Sequence, residues 1–261
     1  MDELRGLRAL VTGASSGIGA AIARELASAG VELVLTARRA EALKQTAEAC
    51  GGGELVVGDL GKPGGAEQVW AAATAAGPID ILVNNAGFGA LAPFAESEWA
   101  RDAEMIQLNM ASLVELARRF LAQRRPRGYV LNISSIGAYQ AVPNMALYAA
   151  SKAFVRDFTE ALHDELAGSG VSATCLCPGG TRTEFHAIAG AGNYGWLARS
   201  SMLSAEAVAR HGVRAMARRK RIAIPGILNK LSCWGVRLVP RRFASWLARR
   251  IMGRPAKEIT A

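Results

Sequence analysis

The chain has 261 residues, of which 51% are hydrophobic and 20% charged; this balance indicates a folded protein with a large core and excludes a disordered one. Its net charge of +9 is uneven, because residues 207–261 hold 14 basic side chains and a single acidic one, whereas 1–206 is net negative. No apolar run approaches about 18 residues, and the acidic start lacks a signal-peptide core, so we expect neither a transmembrane helix nor secretion.

The cysteines and histidines carry little pattern. The four cysteines form no CxxC pair and the three histidines are far apart in sequence, so no zinc site or other metal site is expected. Few, unpatterned cysteines are typical of a reducing compartment. We therefore predict a cytoplasmic protein. Because the C-terminal end is basic, a peripheral position on the inner face of a membrane is the alternative.

Apolar runs alternate with helical patterns along the chain. The first helix shows the 3.6-residue spacing at Ile18, Ile22 and Leu26, and the strands are apolar throughout, as strands buried on both faces should be. The predicted helices cover 17–30, 41–50, 66–76, 96–125 and 147–170. The predicted strands cover 7–13, 31–38, 53–60, 80–87, 128–135, 171–180 and 221–226. This alternation predicts an α/β fold, a Rossmann-type doubly wound parallel sheet in one catalytic domain, 1–226.

Residues 227–261 form a basic amphipathic helical extension of that domain. One helical face carries Ile227, Leu231, Trp234 and Leu238, and Pro240 ends this pattern. A second pattern follows with arginines on the opposite face, and its apolar members are Phe243, Trp246, Leu247 and Ile251. Two interpretations stay open: binding to an anionic membrane surface, or helices that cap the body or a partner subunit. No recognition motif accompanies the charge, so nucleic acid is not an expected partner.

A glycine-rich turn follows the first predicted strand. "TGASSGIG" places Gly13, Gly17 and Gly19 between a strand and a helix, where they permit a tight turn and close approach of a pyrophosphate to the helix N-terminus. The spacing departs from the G-x-G-x-x-G fingerprint and is weak alone. Ligands of such sheets bind at the carboxyl ends of the strands, and this turn lies there.

A tyrosine and a lysine stand four residues apart in "YAASK". Tyr148 and Lys152 share one face of a predicted helix, and on one interpretation they are merely surface neighbours. On the other, the cation favours the phenolate and lowers the tyrosine pKa, which makes Tyr148 a usable general acid or base. Tyr148 lies near the same sheet edge as the glycine turn.

These motifs together resemble the short-chain dehydrogenase/reductase family over roughly residues 5–226. The resemblance rests on "TGASSGIG", "NNAG", "QLNMAS", "YAASK" and "PGGTRT", and on a serine thirteen residues before the tyrosine. It implies that Tyr148 exchanges a proton with the substrate oxygen, and that Lys152 lowers the tyrosine pKa and holds the nicotinamide ribose. It also implies that Ser135 hydrogen-bonds the substrate and that Asn109 holds a water in a proton relay. A strand-end hydroxyl for Ser135 and a buried structural amide for Asn109 are the alternatives.

The cofactor implied is NAD(P), and the residues favour NADP(H). An NAD-selective site has an acid at the end of the second strand, whereas here Ala37 occupies that position and Arg38 and Arg39 follow, which suits a 2′-phosphate. Two alternatives stay open: Arg39 as a solvated residue at the start of a helix, and Asp59 as only a turn residue and not a neighbour of the adenine. The resemblance assigns cofactor contacts to Gly13, Ser15, Ser16, Gly17, Ile18, Gly19, Arg38, Arg39, Asp59, Leu60, Asn85, Ala86, Gly87, Tyr148, Lys152, Pro178, Gly179, Thr181 and Thr183.

The expected activity is an NADPH-dependent carbonyl reductase or alcohol dehydrogenase acting on an apolar, lipid-like, acyl or steroid-like substrate. The glycine-rich segment 186–204, with Tyr194, Trp196 and Leu197, is predicted to be an apolar lid or a packed surface loop. Phe88, Val142, Met145 and Phe185 are candidates for the lining of the substrate pocket, with a place in the core as the alternative. The resemblance also implies a homodimer or homotetramer. The alternative function is a non-catalytic, redox-sensing NADP-binding regulator.

Overall fold

The computed structural model describes residues 1–181 and 202–252, with side chains as far as Arg250. The strands in these ranges are β1 (Arg8–Thr12), β2 (Glu32–Ala37), β3 (Glu54–Val57), β4 (Ile81–Asn84), β5 (Gly128–Ile133), β6 (Val171–Leu176) and β7 (Ile222–Ala223). The helices are α1 (Gly17–Ser28), α2 (Ala40–Ala49), α3 (Gly65–Thr74), α4 (Trp99–Ile106), α5 (Ser112–Ala122), α6 (Ala146–Glu165), α7 (Ala205–Ala217), α8 (Ile227–Gly235) and α9 (Arg241–Met252).

The strands form one parallel sheet in the order β3–β2–β1–β4–β5–β6–β7. Val11 of β1 pairs with Leu35 of β2 on one side and with Val83 of β4 on the other. The strand order reverses between β1 and β4, and the carboxyl ends of these two strands open the crevice in which such sheets bind ligands. The predicted doubly wound, Rossmann-type fold is therefore confirmed.

Successive residues of the central strands supply two separate cores. Ala9 and Val11 of β1 face a core that includes side chains of α1 and α7, whereas Leu10 between them faces Trp70 of α3 and Phe120 of α5. Both faces of the sheet are covered, which explains why these strands are continuously apolar. The edge strand β3 differs, because Leu55 and Val57 are exposed there.

The predicted helix over 96–125 is interrupted in the structure. Helix α4 leads into five residues of π-helix, Gln107–Ala111, which continue directly into α5. Short π-helical segments of this kind are frequent at functional sites. This one carries Asn109, one of the predicted site residues.

Helix α7 has no counterpart among the predicted elements. Its N-cap residue is Ser204, whose Oγ accepts a hydrogen bond from the Ala207 N–H at 3.2 Å. A serine followed by an acidic residue in the first turn is a recognisable start of a helix. The sequence therefore contained the sign of this element, next to the segment interpreted as a lid.

The C-terminal helices contact the body through a face of small residues, not through the predicted apolar stripe. The buried side chains are Asn229 and Cys233 of α8 and Ala244 and Ala248 of α9. By contrast, the exposed side chains are those of the predicted stripe, Ile227, Leu231, Trp234 and Leu238, and α8 ends at Gly235, before Leu238. Ile251 falls outside the described side chains. In the described ranges, no helix has the length and apolar character needed to cross a bilayer.

Candidate active site

The turn between β1 and α1 is built for close approach by a ligand. Gly13 and Gly17 have φ angles of +64° and +58°, a region that residues with side chains rarely adopt. A Cβ on Gly19 would collide with the Gly13 carbonyl, so this glycine permits close packing of helix and turn. The Ser16 side chain does not cap α1, and Ser16, Gly17 and Ile18 border the cavity described below. The first-turn N–H groups of α1 therefore offer a site for an anion.

Residues after β4 hold this turn in place. Thr12 Oγ1 accepts hydrogen bonds from the N–H groups of Asn85 at 2.9 Å and Ala86 at 3.0 Å. Asn85 Nδ2 donates to the carbonyls of Thr12 at 2.8 Å and Gly13 at 3.1 Å. The amide of Asn85 thus fixes the glycine turn between β1 and α1, residues 13–17, which we call the phosphate turn. A contact of Asn85 with a ribose stays a prediction.

Tyr148 and Lys152 lie one turn apart near the start of α6. Lys152 Nζ is 5.8 Å from the centre of the Tyr148 ring and donates a hydrogen bond to the Ile133 carbonyl at 2.9 Å. The ammonium is buried, and this burial lowers the pKa of Lys152 from 10.5 to about 8. A cation held in a water-poor site beside a phenol favours the phenolate form.

The two serines after β5 point to different partners, as expected for neighbours on an extended strand. Ser134 is buried, and its Oγ donates to the Lys152 carbonyl at 2.7 Å, which fixes the start of α6 against β5. Ser135 Oγ accepts a hydrogen bond from the Gly137 N–H at 3.1 Å at the start of a 3₁₀ turn, Ile136–Tyr139. Because that oxygen accepts there, the Ser135 hydroxyl proton can be donated to a group in the cavity.

Asn109 is buried behind the loop that follows β4. Its Oδ1 accepts from the Phe88 N–H at 3.2 Å, and its Nδ2 donates to the Phe88 carbonyl at 3.0 Å and to Ser151 Oγ at 3.1 Å. A Cβ on Gly87 would lie 2.8 Å from Asn109 Oδ1 and 3.3 Å from Lys152 Nζ, so the amide and the ammonium approach the same glycine. The amide thereby positions Phe88, and a role in a proton relay stays a prediction.

The opposite end of the site combines basic and acidic groups. Arg38 Nη1 lies 2.8 Å from Glu104 Oε1 in a largely exposed ion pair, and Arg39 Nη2 lies 3.5 Å from Ser15 Oγ. Asp59 Oδ1 accepts from a backbone N–H two residues further on, at 2.9 Å, which is the turn contact that the sequence left open. Glu104 was not among the predicted residues, because it lies on α4, 66 positions from Arg38.

A single cavity of about 1320 Å³ connects these groups. Phe88, Val142 and Met145 line it as predicted, whereas Phe185, Thr183 and most of the segment 186–204 lie outside the described residues. Gly19 and Asn109 lie behind its wall. The other predicted site residues all line it, namely Gly13, Ser15, Ser16, Gly17, Ile18, Arg38, Arg39, Asp59, Leu60, Asn85, Ala86, Gly87, Ser135, Tyr148, Lys152, Pro178, Gly179 and Thr181.

The C-terminal extension closes one side of this cavity, which the sequence did not indicate. A Cβ on Gly179 would lie 2.5 Å from Asn229 Nδ2, and Asn229 Nδ2 donates to the Pro225 carbonyl at 2.8 Å, so α8 packs directly on the loop after β6. Ala244 and Ala248, four residues apart on α9, were the available sign of a closely packed face. The lining residues from the extension are Leu228, Asn229, Ser232, Cys233, Gly235, Val236, Val239, Phe243, Ala244, Leu247 and Ala248.

A dinucleotide-type crevice joined to a tyrosine–lysine pair is the architecture of a nicotinamide-dependent oxidoreductase. The family model for short-chain dehydrogenases matches residues 8–192. An uncharacterized oxidoreductase of Myxococcus xanthus is 36% identical over 194 residues, which are 72% of this chain and 77% of that protein. The chain belongs to the short-chain dehydrogenase/reductase family.

Two solved structures share the fold over most of their length. A structure from a study of 7β-hydroxysteroid dehydrogenase stereoselectivity superimposes with a TM-score of 0.83 at 26% identity, covering 94% of this chain and 98% of that one. A short-chain dehydrogenase from Sphingobium yanoikuyae in complex with NADPH gives a TM-score of 0.75 at 29% identity, covering 89% and 94%. The chain is accordingly an NAD(P)-dependent oxidoreductase that acts on CH–OH or C=O groups.

Proposed function

We propose that the protein is an NADPH-preferring carbonyl reductase, or alcohol dehydrogenase in the reverse direction, with Ser135, Tyr148 and Lys152 as its catalytic residues. One observation carries the proposal. Ser135 and Tyr148 line the same cavity as the phosphate turn, and the buried Lys152 ammonium lies beside the phenol. A non-catalytic regulator has no need of this combination, so it remains the less favoured function.

The residues present fit a dinucleotide phosphate. The uncapped N-terminus of α1 offers N–H groups to the pyrophosphate, and Arg38 and Arg39 lie at the end of the cavity where a 2′-phosphate would extend. Bound NADPH supplies the hydride. The protein residues then have two tasks: to hold the carbonyl next to the nicotinamide and to supply a proton to its oxygen.

Tyr148 and Ser135 perform the second task. Negative charge grows on the substrate oxygen during hydride transfer, so donors fixed at that oxygen stabilise the transition state more than the ground state. Tyr148 gives up its proton, and Ser135 donates a hydrogen bond to the same oxygen. Lys152 makes the tyrosine a stronger acid because its charge stabilises the phenolate. The Asn109 side-chain amide contacts Phe88, so we assign Asn109 the role of positioning that residue. A role for Asn109 in a proton relay is a second part of the proposal.

Cofactor preference depends on Arg38 and its ion pair with Glu104. An exposed ion pair contributes about 0–1 kcal/mol, so Arg38 can exchange the carboxylate for a phosphate at little cost. Arg38→Ala should weaken NADPH by up to about 3 kcal/mol and leave NADH nearly unchanged. Glu104→Gln is the matched variant, and it should favour NADPH because it removes a competing negative charge.

Fluorescence titration of both cofactors against the three proteins tests this assignment. The informative quantity is the ratio of the two dissociation constants. Equal weakening of NADPH and NADH in Arg38→Ala would mean that this arginine only supports the fold, and the NADP preference would lose its main basis.

The lining of the cavity supports a large apolar substrate. Phe88, Val142 and Met145 supply apolar side chains from the body, and Val236 and Val239 supply them from the extension. A lipid-like ketone, with a steroid or acyl skeleton, fits such a lining. A panel of ketones graded in apolar size, followed by NADPH absorbance, should show kcat/KM rising with size. A preference for small polar carbonyls would contradict this substrate class.

The chain divides into a catalytic domain and a C-terminal extension. We assign 1–226 to the cofactor-binding catalytic domain and 227–261 to an extension that completes its substrate cavity. A homodimer or homotetramer is proposed from the family resemblance. Sedimentation equilibrium of the purified protein would measure the oligomeric state.

A further inference from the structure

The C-terminal extension exposes an unusual amount of apolar side chain. We define its outer face by Ile227, Leu231, Trp234, Leu238 and Trp246. These side chains are between 50% and 85% exposed, with Trp234 at 66% and Leu238 at 85%. Helix α8 already uses Asn229 and Cys233 to pack on the body, so the outer face is left over after the fold is complete. Large apolar side chains left exposed on one short segment indicate an interaction surface.

Positive charge lies on the same segment as this outer face. Exposed cations are Lys230, Arg237, Arg241, Arg242, Arg249 and Arg250. The sequence has no acidic residue between 207 and 252, and within the described ranges these six cations form no ion pair. The Arg250 guanidinium lies 4.9 Å from the centre of the Trp246 ring, which joins an apolar and a cationic group at one place.

We propose that this outer face docks the protein on an anionic lipid membrane. A lipid surface offers both an acyl boundary for tryptophan and leucine side chains and a dense layer of negative headgroups for the arginines. A second copy of this chain is a poorer partner, because a symmetric interface would bring these cations against one another, and residues 207–252 hold no acidic side chain to pair with them.

The position of the cavity gives this docking a consequence. Leu228, Phe243 and Leu247 are exposed and also line the cavity, so they form part of its mouth. They lie on the same two helices as the outer face. A membrane that contacts the outer face therefore lies next to the mouth, and an apolar substrate can pass from the lipid into the cavity. This part of the inference rests on the proposed function.

Vesicle sedimentation tests the docking directly. The full chain should sediment with vesicles of phosphatidylglycerol and phosphatidylcholine, should be released by 0.5 M salt because salt screens surface charge, and should ignore vesicles of phosphatidylcholine alone. Each arginine near an anionic surface contributes about fivefold to binding, so Arg241→Glu/Arg242→Glu should weaken it by at least about 25-fold. Trp234→Ala should weaken it through lost apolar burial.

Matched controls change equivalent groups elsewhere on the surface. Lys44→Glu/Arg118→Glu changes the net charge by the same amount as Arg241→Glu/Arg242→Glu, and Trp99→Ala removes an exposed tryptophan of the body. Both control variants should bind anionic vesicles as the unchanged protein does. All variants should keep their turnover of a water-soluble ketone with NADPH, so a failure of docking is distinguishable from a failure of the proposed activity.

Three results would overturn the inference. The first is no binding of the full chain to anionic vesicles. The second is equal loss in the control and test charge reversals, which would mean that only net charge matters. The third is an oligomer that Trp234→Ala dissociates while vesicles are ignored, which would make the outer face a subunit interface.

Discussion

Replacing Lys152 with methionine removes a buried charge and nearly keeps the side-chain length. The pKa of Lys152 falls from 10.5 to about 8 because the ammonium is buried, which corresponds to roughly 3 kcal/mol of destabilisation of the charged folded protein at pH 7. The methionine leaves the Ile133 carbonyl without its 2.9 Å donor, at a cost of about 1–3 kcal/mol. The cofactor-free variant should therefore be more stable at pH 7, by up to about 2 kcal/mol, while its reductase activity falls.

The pH dependence is the sharper part of this prediction. The folded pKa of Lys152 lies below its unfolded value, so between about pH 8 and 10.5 the unfolded protein binds more protons than the folded one. The unchanged protein consequently gains stability as pH rises through this window, roughly 2 kcal/mol from pH 7 to pH 10, and the methionine variant lacks that gain. The advantage of the variant at pH 7 should therefore shrink or reverse by pH 10.

Urea unfolding of both proteins at pH 7, 8.5 and 10 measures the difference. Lys44→Met, at an exposed position on α2, controls for the loss of one lysine. A stability difference between Lys152→Met and the unchanged protein that stays constant from pH 7 to pH 10 would refute the reasoning, because it would mean that burial does not depress this lysine's pKa.

Two further predictions concern the walls of the cavity. Ser135→Ala should lower kcat about 100-fold or more with little change in NADPH affinity, because it removes one hydrogen-bond donor to the substrate oxygen. Steady-state kinetics and fluorescence titration measure the two quantities. An unchanged kcat would mean that Ser135 serves only to cap the 3₁₀ turn. Gly179→Ala should lower the midpoint temperature of thermal unfolding, because the added Cβ would collide with the Asn229 side chain. The double variant Gly179→Ala/Asn229→Ala should recover part of that loss. If the two substitutions lower the midpoint additively, the contact is not the cause.

Local signals explain what the sequence predicted well. The glycines at 13 and 17 mark positions of positive φ, and continuous apolar runs mark strands buried on both faces, so the glycine turn and the doubly wound parallel sheet were predictable from neighbouring residues. Tyr148 and Lys152 met because a helix brings residues four apart to one face. The apolar stripe of α8 was also visible as a helical period, but the sequence did not show whether it would face the body or the outside.

Contacts between distant residues explain what the sequence did not predict. Arg38 and Glu104 pair across 66 positions, and the π-helical segment around Asn109 accompanies hydrogen bonds to Phe88, 21 positions away. The sequence left open whether the large apolar residues of α8 would be buried, and the structure shows that the helix packs through Asn229, which lies against Gly179. No local pattern specifies such pairs.

Tyr148→Phe tests the central claim most directly, because it removes one hydroxyl and leaves the ring and Lys152 in place. NADPH titration should give nearly the same dissociation constant as the unchanged protein, and single-turnover oxidation of bound NADPH by a large apolar ketone should slow by about 100-fold to 10,000-fold, the usual contribution of a positioned general acid. Near-normal turnover in this variant would contradict the assignment of Tyr148 as the proton donor.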